Sequence, residues 1–181
     1  MITMAVNAEP EKGKVYFVDG PGGHGKTYLF NTVLGHVHQQ DKIALAVASS
    51  GIASLLLHGG QTAHSRFKIP LNLDSDSTCN INRQSELANL IRQTKLIIWD
   101  EAPMTHCFAL EALDRTLQDI RHNDNPFGGL VVVLGGDFRQ TLPVVKRASR
   151  AAIVESSIKR SHLWENVTSF TLSQNMRLDE N

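Results

Sequence analysis

Apolar positions along this chain fall into short runs separated by amphipathic stretches. Val15-Tyr16-Phe17-Val18, residues 43–48, Leu96-Ile97-Ile98-Trp99, residues 130–134 and residues 167–172 form runs rich in β-branched, leucine and aromatic side chains. Runs of that kind, unbroken by alternating polar residues, are what strands buried on both faces require. Between them the apolar spacing changes to three and four. Tyr28, Leu29, Thr32, Val33 and Val37 predict a helix after the first run; Leu87, Leu90 and Ile91 predict one over 85–94; Leu110, Leu113, Leu117 and Ile120 predict one over 108–121. A weaker helical pattern over 148–159 puts Ile153 and Ile158 inward, and the polar stretch 72–82 reads as a loop. Strands alternating with helices predict an α/β domain, a parallel sheet covered on both faces. Ligands of such sheets sit at the carboxyl ends of the strands, and each polar motif below follows one of the runs.

The first run is followed by Gly20-Pro21-Gly22-Gly23-His24-Gly25-Lys26-Thr27, which matches the phosphate-loop pattern G-x-x-x-x-G-K-[ST] between a strand and a helix. Glycines let the backbone curl until successive N–H groups face phosphate oxygens. Gly20, Gly22, Gly23, His24, Gly25, Lys26 and Thr27 are therefore the candidate nucleotide-binding residues. Lys26 supplies a cation for the β- and γ-phosphates, the Thr27 hydroxyl is a ligand for Mg²⁺, and the helix N-terminus adds its positive dipole end. A plain glycine-rich turn is the competing reading, and the flanking strand and helix argue against it.

The third run ends in Asp100-Glu101. Asp100 is placed to help hold Mg²⁺, and Glu101 to polarise an attacking water as general base. An acidic pair alone is more often a solvated strand end; beside a phosphate loop it is what a nucleotide hydrolase needs. The fourth run leads into Gly135-Gly136-Asp137-Phe138-Arg139-Gln140. In hydrolases with a glutamate base the strand carrying a polar sensor commonly lies between the phosphate-loop strand and the acidic strand. Gln140 is then the sensor, because its amide donates to one group and accepts from another. After the fifth run comes Asn175-Met176-Arg177, where a guanidinium would stabilise charge on the transferring phosphoryl group. By spacing alone Arg177 reads as a solvated charge near a terminus.

Charge narrows the partners. Lys+Arg and Asp+Glu are 18 each, so there is no globally basic body, and nucleic acid would have to be held by a local groove. The N-terminal residues lack the pattern of a signal peptide, and no apolar run approaches the ~20 residues of a bilayer span. Cys79 and Cys107 are far apart and form neither a zinc nor a redox pattern. Asp74 and Asp76 hint at a calcium loop, but its glycine and closing glutamate positions hold Cys79 and Ser85, so calcium is rejected. His36 and His38 are two apart on a helix and face different ways.

Taken in order, Gly20 through Thr27, Ser49-Ser50-Gly51-Ile52-Ala53, Thr62-Ala63-His64-Ser65-Arg66-Phe67, Asp100-Glu101-Ala102-Pro103, Gly136-Asp137-Phe138-Arg139-Gln140 and Leu172-Ser173-Gln174-Asn175-Met176-Arg177 resemble the motifs of the Pif (petite integration frequency) family of 5′-to-3′ DNA helicases in superfamily one, most of all the branch with the Helitron transposon helicases. The resemblance runs from about Tyr16 to Arg177. It implies an ATP-binding, RecA-like motor domain in which Lys26, Thr27, Asp100 and Glu101 serve ATP and Mg²⁺, Gln140 senses the γ-phosphate and Arg177 faces it. It also implies that Ser50, Gly51, His64 and Ser65 lie in motifs that contact single-stranded DNA. Loop hydroxyls and amides can hold DNA phosphates without sequence preference. Phe67 or His64 would give a stacking face for a base, with a core anchor as the equal alternative for Phe67.

Where the family usually has threonine this chain has His24, and a charged imidazole there would make nucleotide affinity depend on pH. The upstream glutamine motif that recognises adenine has no convincing match in residues 1–14. Family members continue into a second RecA-like domain, so the resemblance implies that residues 15–181 are the first motor domain, after a flexible segment 1–14. By itself that domain would bind nucleotide, hydrolyse it poorly and not unwind DNA. The implied cellular site is the nucleus, with the mitochondrion as alternative, and genome maintenance as the role. Two rival readings are a stand-alone nucleotide switch or small kinase, and a non-catalytic nucleic-acid module of helicase descent. The first lacks an Asn-Lys-x-Asp guanine signature, and the second does not explain intact Lys26, Asp100, Glu101 and Gln140.

Overall fold

The computed structural model describes residues 1–7, 14–140, 143 and 149–176. The apolar runs become strands β1 (Lys14–Asp19), β2 (Ile43–Ala48), β4 (Thr94–Asp100), β5 (Val131–Gly136) and β6 (Val167–Thr171), joined by a two-residue strand β3 (Gln61–Thr62) that periodicity did not reveal. All pairings are parallel, in the order β3-β2-β4-β5-β1-β6. The strand after which Gln140 comes, β5, thus lies between the phosphate-loop strand β1 and the acidic strand β4, as expected.

Continuous apolar runs are needed because the sheet is buried on both sides. Val15 and Phe17 of β1, with Ile97 and Trp99 of β4, belong to one core; Tyr16 and Val18, with Leu96 and Ile98, belong to the other. The first core is closed by α6 (Cys107–Arg121) through Leu110, Leu113, Leu117 and Ile120, and by α5 (Glu86–Gln93) through Ala88 and Ile91. The second is closed by α2 (Lys26–His38) through Phe30, Val33, Leu34 and Val37. Each buried Val, Leu, Ile or Phe among them contributes about 1.5–3 kcal/mol relative to exposure.

Some elements differ from expectation. The inward face of α2 is Phe30-Val33-Leu34-Val37, while Tyr28 and Thr32 are exposed. Within the segment 1–14, residues 2–7 form α1 (Ile2–Asn7), which buries Ala5 and Val6 against the second core, and Lys42 donates to the Asn7 side chain. Helix α7 (Arg150–Glu155) has no buried residue; Ile153 is half-buried and Ile158, in the 3-10 turn that follows, is the buried one. Residues 72–82 form no helix or strand. Two short helices, α3 (Gly51–Leu55) and α4 (Ala63–Phe67), carry the Ser-Gly and Thr-Ala-His-Ser motifs.

Register aligns the site. Asp19 is level with Gly136, Ala48 with Asp100, and Ala48 with Thr62. The phosphate loop, Ser49-Ser50, Glu101, Asp137 through Gln140 and His64-Ser65 therefore emerge along one edge of the sheet.

Candidate functional site

The loop after β1 turns through left-handed glycines, Gly23 at φ 88° and Gly25 at φ 81°, a conformation that L side chains rarely adopt. Lys26 opens α2, and its Nζ donates to the carbonyl oxygens of Gly20 and Pro21, the latter at 3.2 Å. Gly22, Gly23, Gly25, Lys26, Thr27, Asp100, Glu101, Gly136, Asp137 and Gln140 line one cavity of about 520 Å³. His24 lies in the same turn, half-buried, its Nδ1 3.4 Å from the Gly22 carbonyl oxygen.

Asp100 closes β4 with 6% of its surface exposed. Burial pushes its carboxyl above the usual carboxylate value, the Glu101 N–H (2.8 Å from Oδ1) and the Lys26 charge pull it down, and the Glu101 charge adds to the rise. A desolvated carboxylate facing the same cavity as the Thr27 hydroxyl fits a divalent cation, which would relieve the cost of its charge. No cluster of three or more His, Cys, Asp or Glu that could hold a metal exists among the described residues.

Glu101 adopts a left-handed backbone, φ 54° and ψ 31°, at the turn into a 3-10 segment. Its Oε2 accepts the hydroxyl of Ser50 at 2.6 Å. Next to it, Ser49 ties the end of β2 to the acidic strand: its N–H donates to the Asp100 carbonyl at 3.1 Å, while its Oγ accepts the Trp99 indole N–H at 3.0 Å and lies 2.8 Å from Thr105 Oγ1.

Gln140 is exposed at the cavity, and a Cβ built on Gly22 would lie 3.9 Å from its Nε2, which puts the amide over the phosphate loop. Asp137 positions this turn through Arg139, whose N–H and Nε both reach its Oδ1 at 2.9 Å. Burial works to raise the Asp137 carboxyl, but the Arg139 hydrogen bonds and charge outweigh it and hold the carboxyl below its ordinary value. Arg177 lies outside the described residues. The segment before it crosses the loop: Leu172 N–H donates to the Asp19 carbonyl (2.8 Å), and Met176 N–H to the Gly23 carbonyl (3.1 Å).

The residues assigned to DNA divide. Ser50 is half-buried and Gly51 exposed, at the start of α3; His64 is half-buried and Ser65 exposed, in α4. Burial lowers the His64 imidazole below its usual value, which disfavours its charged form. Phe67 is a correction to one of its two readings: it is fully buried in the first core, so it anchors α4 and presents no stacking face. Sequence reasoning missed Ala53, Leu56 and Met176 at the cavity and the Ser50–Glu101 bond. That bond depends on β2 lying beside β4, which no spacing along the chain signals.

A parallel sheet with a glycine cradle at its carboxyl edge defines a RecA-like P-loop domain. The family profile of PIF1-like helicases matches residues 1–181. The ATP-dependent DNA helicase Pif1 of Psychrobacter sp. is 35% identical over 137 residues, 75% of this chain and 21% of that protein. The ATP-dependent DNA helicase RRM3 of Saccharomyces cerevisiae is 35% identical over 147 residues, 78% of this chain and 20% of that protein. The Pif1 helicase from Bacteroides, crystallised with ADP-AlF3 and single-stranded DNA, superposes with a TM-score of 0.78 at 28% identity, over 96% of this chain and 41% of that one. The chain belongs to the PIF1-like helicase family, and it spans about one fifth of the length of these curated relatives.

Proposed function

We propose that this chain is the ATP-hydrolysing first motor domain of a 5′-to-3′ DNA helicase. The observation that carries the reading is the single cavity in which the phosphate loop, Asp100, Glu101 and Gln140 meet. Amides of Gly22, Gly23 and Gly25 and the ammonium of Lys26 bind the triphosphate; Gln140 contacts the γ-phosphate or the attacking water; Glu101 takes the proton of that water as it attacks phosphorus. Thr27 and Asp100 would hold Mg²⁺, which when bound neutralises charge on the phosphates. Arg177 is the proposed guanidinium at the γ-phosphate. Single-stranded DNA is proposed to lie along the β2–β3 end of the same edge, on Ser50, Gly51, His64 and Ser65. The whole protein would close a second RecA-like domain over the nucleotide and act in genome maintenance, in the nucleus or alternatively the mitochondrion.

Support comes from the relatives, named ATP-dependent DNA helicases, and from the ADP-AlF3 and single-stranded DNA in the Bacteroides complex. The test is Glu101→Gln in the full-length protein. ATP binding should persist while DNA-stimulated hydrolysis falls by about 10²–10⁴-fold, the range of a general base. Full hydrolysis by the variant contradicts the reading; hydrolysis indifferent to single-stranded DNA would favour a nucleotide switch instead.

A further inference from the structure

We propose that Ser50 is a latch on Glu101: its hydroxyl holds the general-base carboxylate on the β2 side of β4 and releases it when a DNA phosphate takes the same proton. The proposal rests on the function proposed above and adds to it how hydrolysis is geared to DNA.

The distance of 2.6 Å from Ser50 Oγ to Glu101 Oε2 is that of a hydroxyl donating to a carboxylate, among the stronger hydrogen bonds in proteins. A serine has one proton to donate and two lone pairs to accept with. One lone pair takes the Ala53 N–H at 3.2 Å, and the single proton goes to Glu101, whose carboxylate can only accept. Strand order gives the bond its direction. Ser50 follows β2, on one side of β4; Gln140 follows β5 and the phosphate loop follows β1, both on the other side. A carboxylate drawn to Ser50 is therefore drawn away from the loop.

Ser50 is also the fixed partner. Its carbonyl accepts the Ser54 N–H at 3.1 Å, and its neighbour Ser49 is bonded to Asp100, Trp99 and Thr105. Glu101 reaches Ser50 through a side chain with rotatable bonds between backbone and carboxylate, so breaking the bond moves the carboxylate, not the strand. The hydroxyl can serve Glu101 or a DNA phosphate, never both, so DNA at Ser50 and Gly51 frees the base.

The test compares wild type, Ser50→Ala and Ser50→Thr in the full-length protein. ATPase is measured with and without saturating oligothymidylate, and affinity with a fluorescent ATP analogue. For Ser50→Ala the DNA-independent kcat should rise about tenfold, equivalent to ~1.4 kcal/mol. The DNA stimulation ratio should shrink, nucleotide affinity should stay within about twofold, and Ser50→Thr should restore the latch. An unchanged or lower basal kcat overturns the proposal, as does a loss of DNA affinity with basal rate unaltered. A second readout needs no hydrolysis: the Glu101 carboxylate ¹³C resonance, without nucleotide, should shift in Ser50→Ala and shift alike in wild type when oligothymidylate is added. If wild type never hydrolyses ATP, the function proposed above fails while this resonance still decides the latch; an unmoved resonance sinks it.

Discussion

Lys26 donates its ammonium to the carbonyl oxygen of Pro21 at 3.2 Å and to that of Gly20, so it braces the turn of the loop that it would open to a phosphate. Phosphate binding exchanges neutral carbonyl partners for an anion, which a point cation favours. Lys26→Ala should therefore weaken binding of a fluorescent ATP analogue by about 10–100-fold, as expected for losing roughly 1.5–3 kcal/mol of charged hydrogen bonding. Its nucleotide-free melting temperature should move by only a few degrees, because the loop is half-exposed and water can replace the ammonium. Unchanged affinity would remove Lys26 from the phosphate site.

Gly135 lies against Phe30. A Cβ built at Gly135 would come 2.6 Å from Phe30 Cε2 and 3.3 Å from Asp100 Oδ1. Phe30 is fully buried between α2 and the sheet. Gly135→Ala should lower stability by about 1–3 kcal/mol, the cost of overpacking a filled core, seen as a lower urea midpoint with unchanged slope. A variant as stable as wild type would show that α2 is not held at this distance.

That contact also explains what the sequence did and did not reveal. The strands were legible because a sheet covered on both faces needs unbroken apolar runs, and the phosphate loop because its chemistry is carried by backbone and by two adjacent side chains, Lys26 and Thr27. Of the residues whose spacing predicts α2, Val33 and Val37 lie on its buried face and Tyr28 and Thr32 do not; Phe30 and Leu34 complete that face. The missing side chain of Gly135, more than 100 residues away in sequence, leaves room for the Phe30 ring. Ser50 and Glu101 show the same limit: they are 51 residues apart and meet because β2 pairs with β4. Phe67 was ambiguous because a short helix of five residues is too brief for periodicity to tell inside from outside.

Asp114 is a buried carboxylate that the proposed chemistry does not use. It accepts the Phe127 N–H at 2.5 Å and the Gln118 amide at 3.0 Å, which holds a turn where Phe127 has φ 53°. Burial raises its carboxyl above the ordinary value; the Phe127 N–H and the charges of His162 and Arg115 pull it down, and Glu111 adds to the rise. A raised folded-state value means the folded protein holds the proton more tightly than the unfolded chain. The stability this contributes is full below the ordinary carboxylate value of about 3.9 and is lost as pH rises through the folded value. Asp114→Asn cannot titrate, so its stability relative to wild type should improve as pH rises from about 3.5 towards neutrality. Urea melts across that range test the sign; a difference independent of pH would mean that Asp114 titrates alike folded and unfolded.

Adjacent serines at the end of β2 should behave differently. Ser49 accepts the indole N–H of Trp99, which is fully buried, and meets Thr105 on its other side. Removing that hydroxyl leaves a buried donor without its partner, at a cost of about 1–3 kcal/mol. The hydroxyl of Ser50 instead faces Glu101 at the cavity, where water can take its place. Ser49→Ala should therefore lose clear stability by thermal melt and loosen the turn that carries Asp100 and Glu101, lowering DNA-stimulated hydrolysis. Ser50→Ala should melt near wild type, raise the DNA-independent rate and shrink the stimulation by DNA. If the two variants lose equal stability, Ser50 is as structural as Ser49, and the division of labour between them disappears.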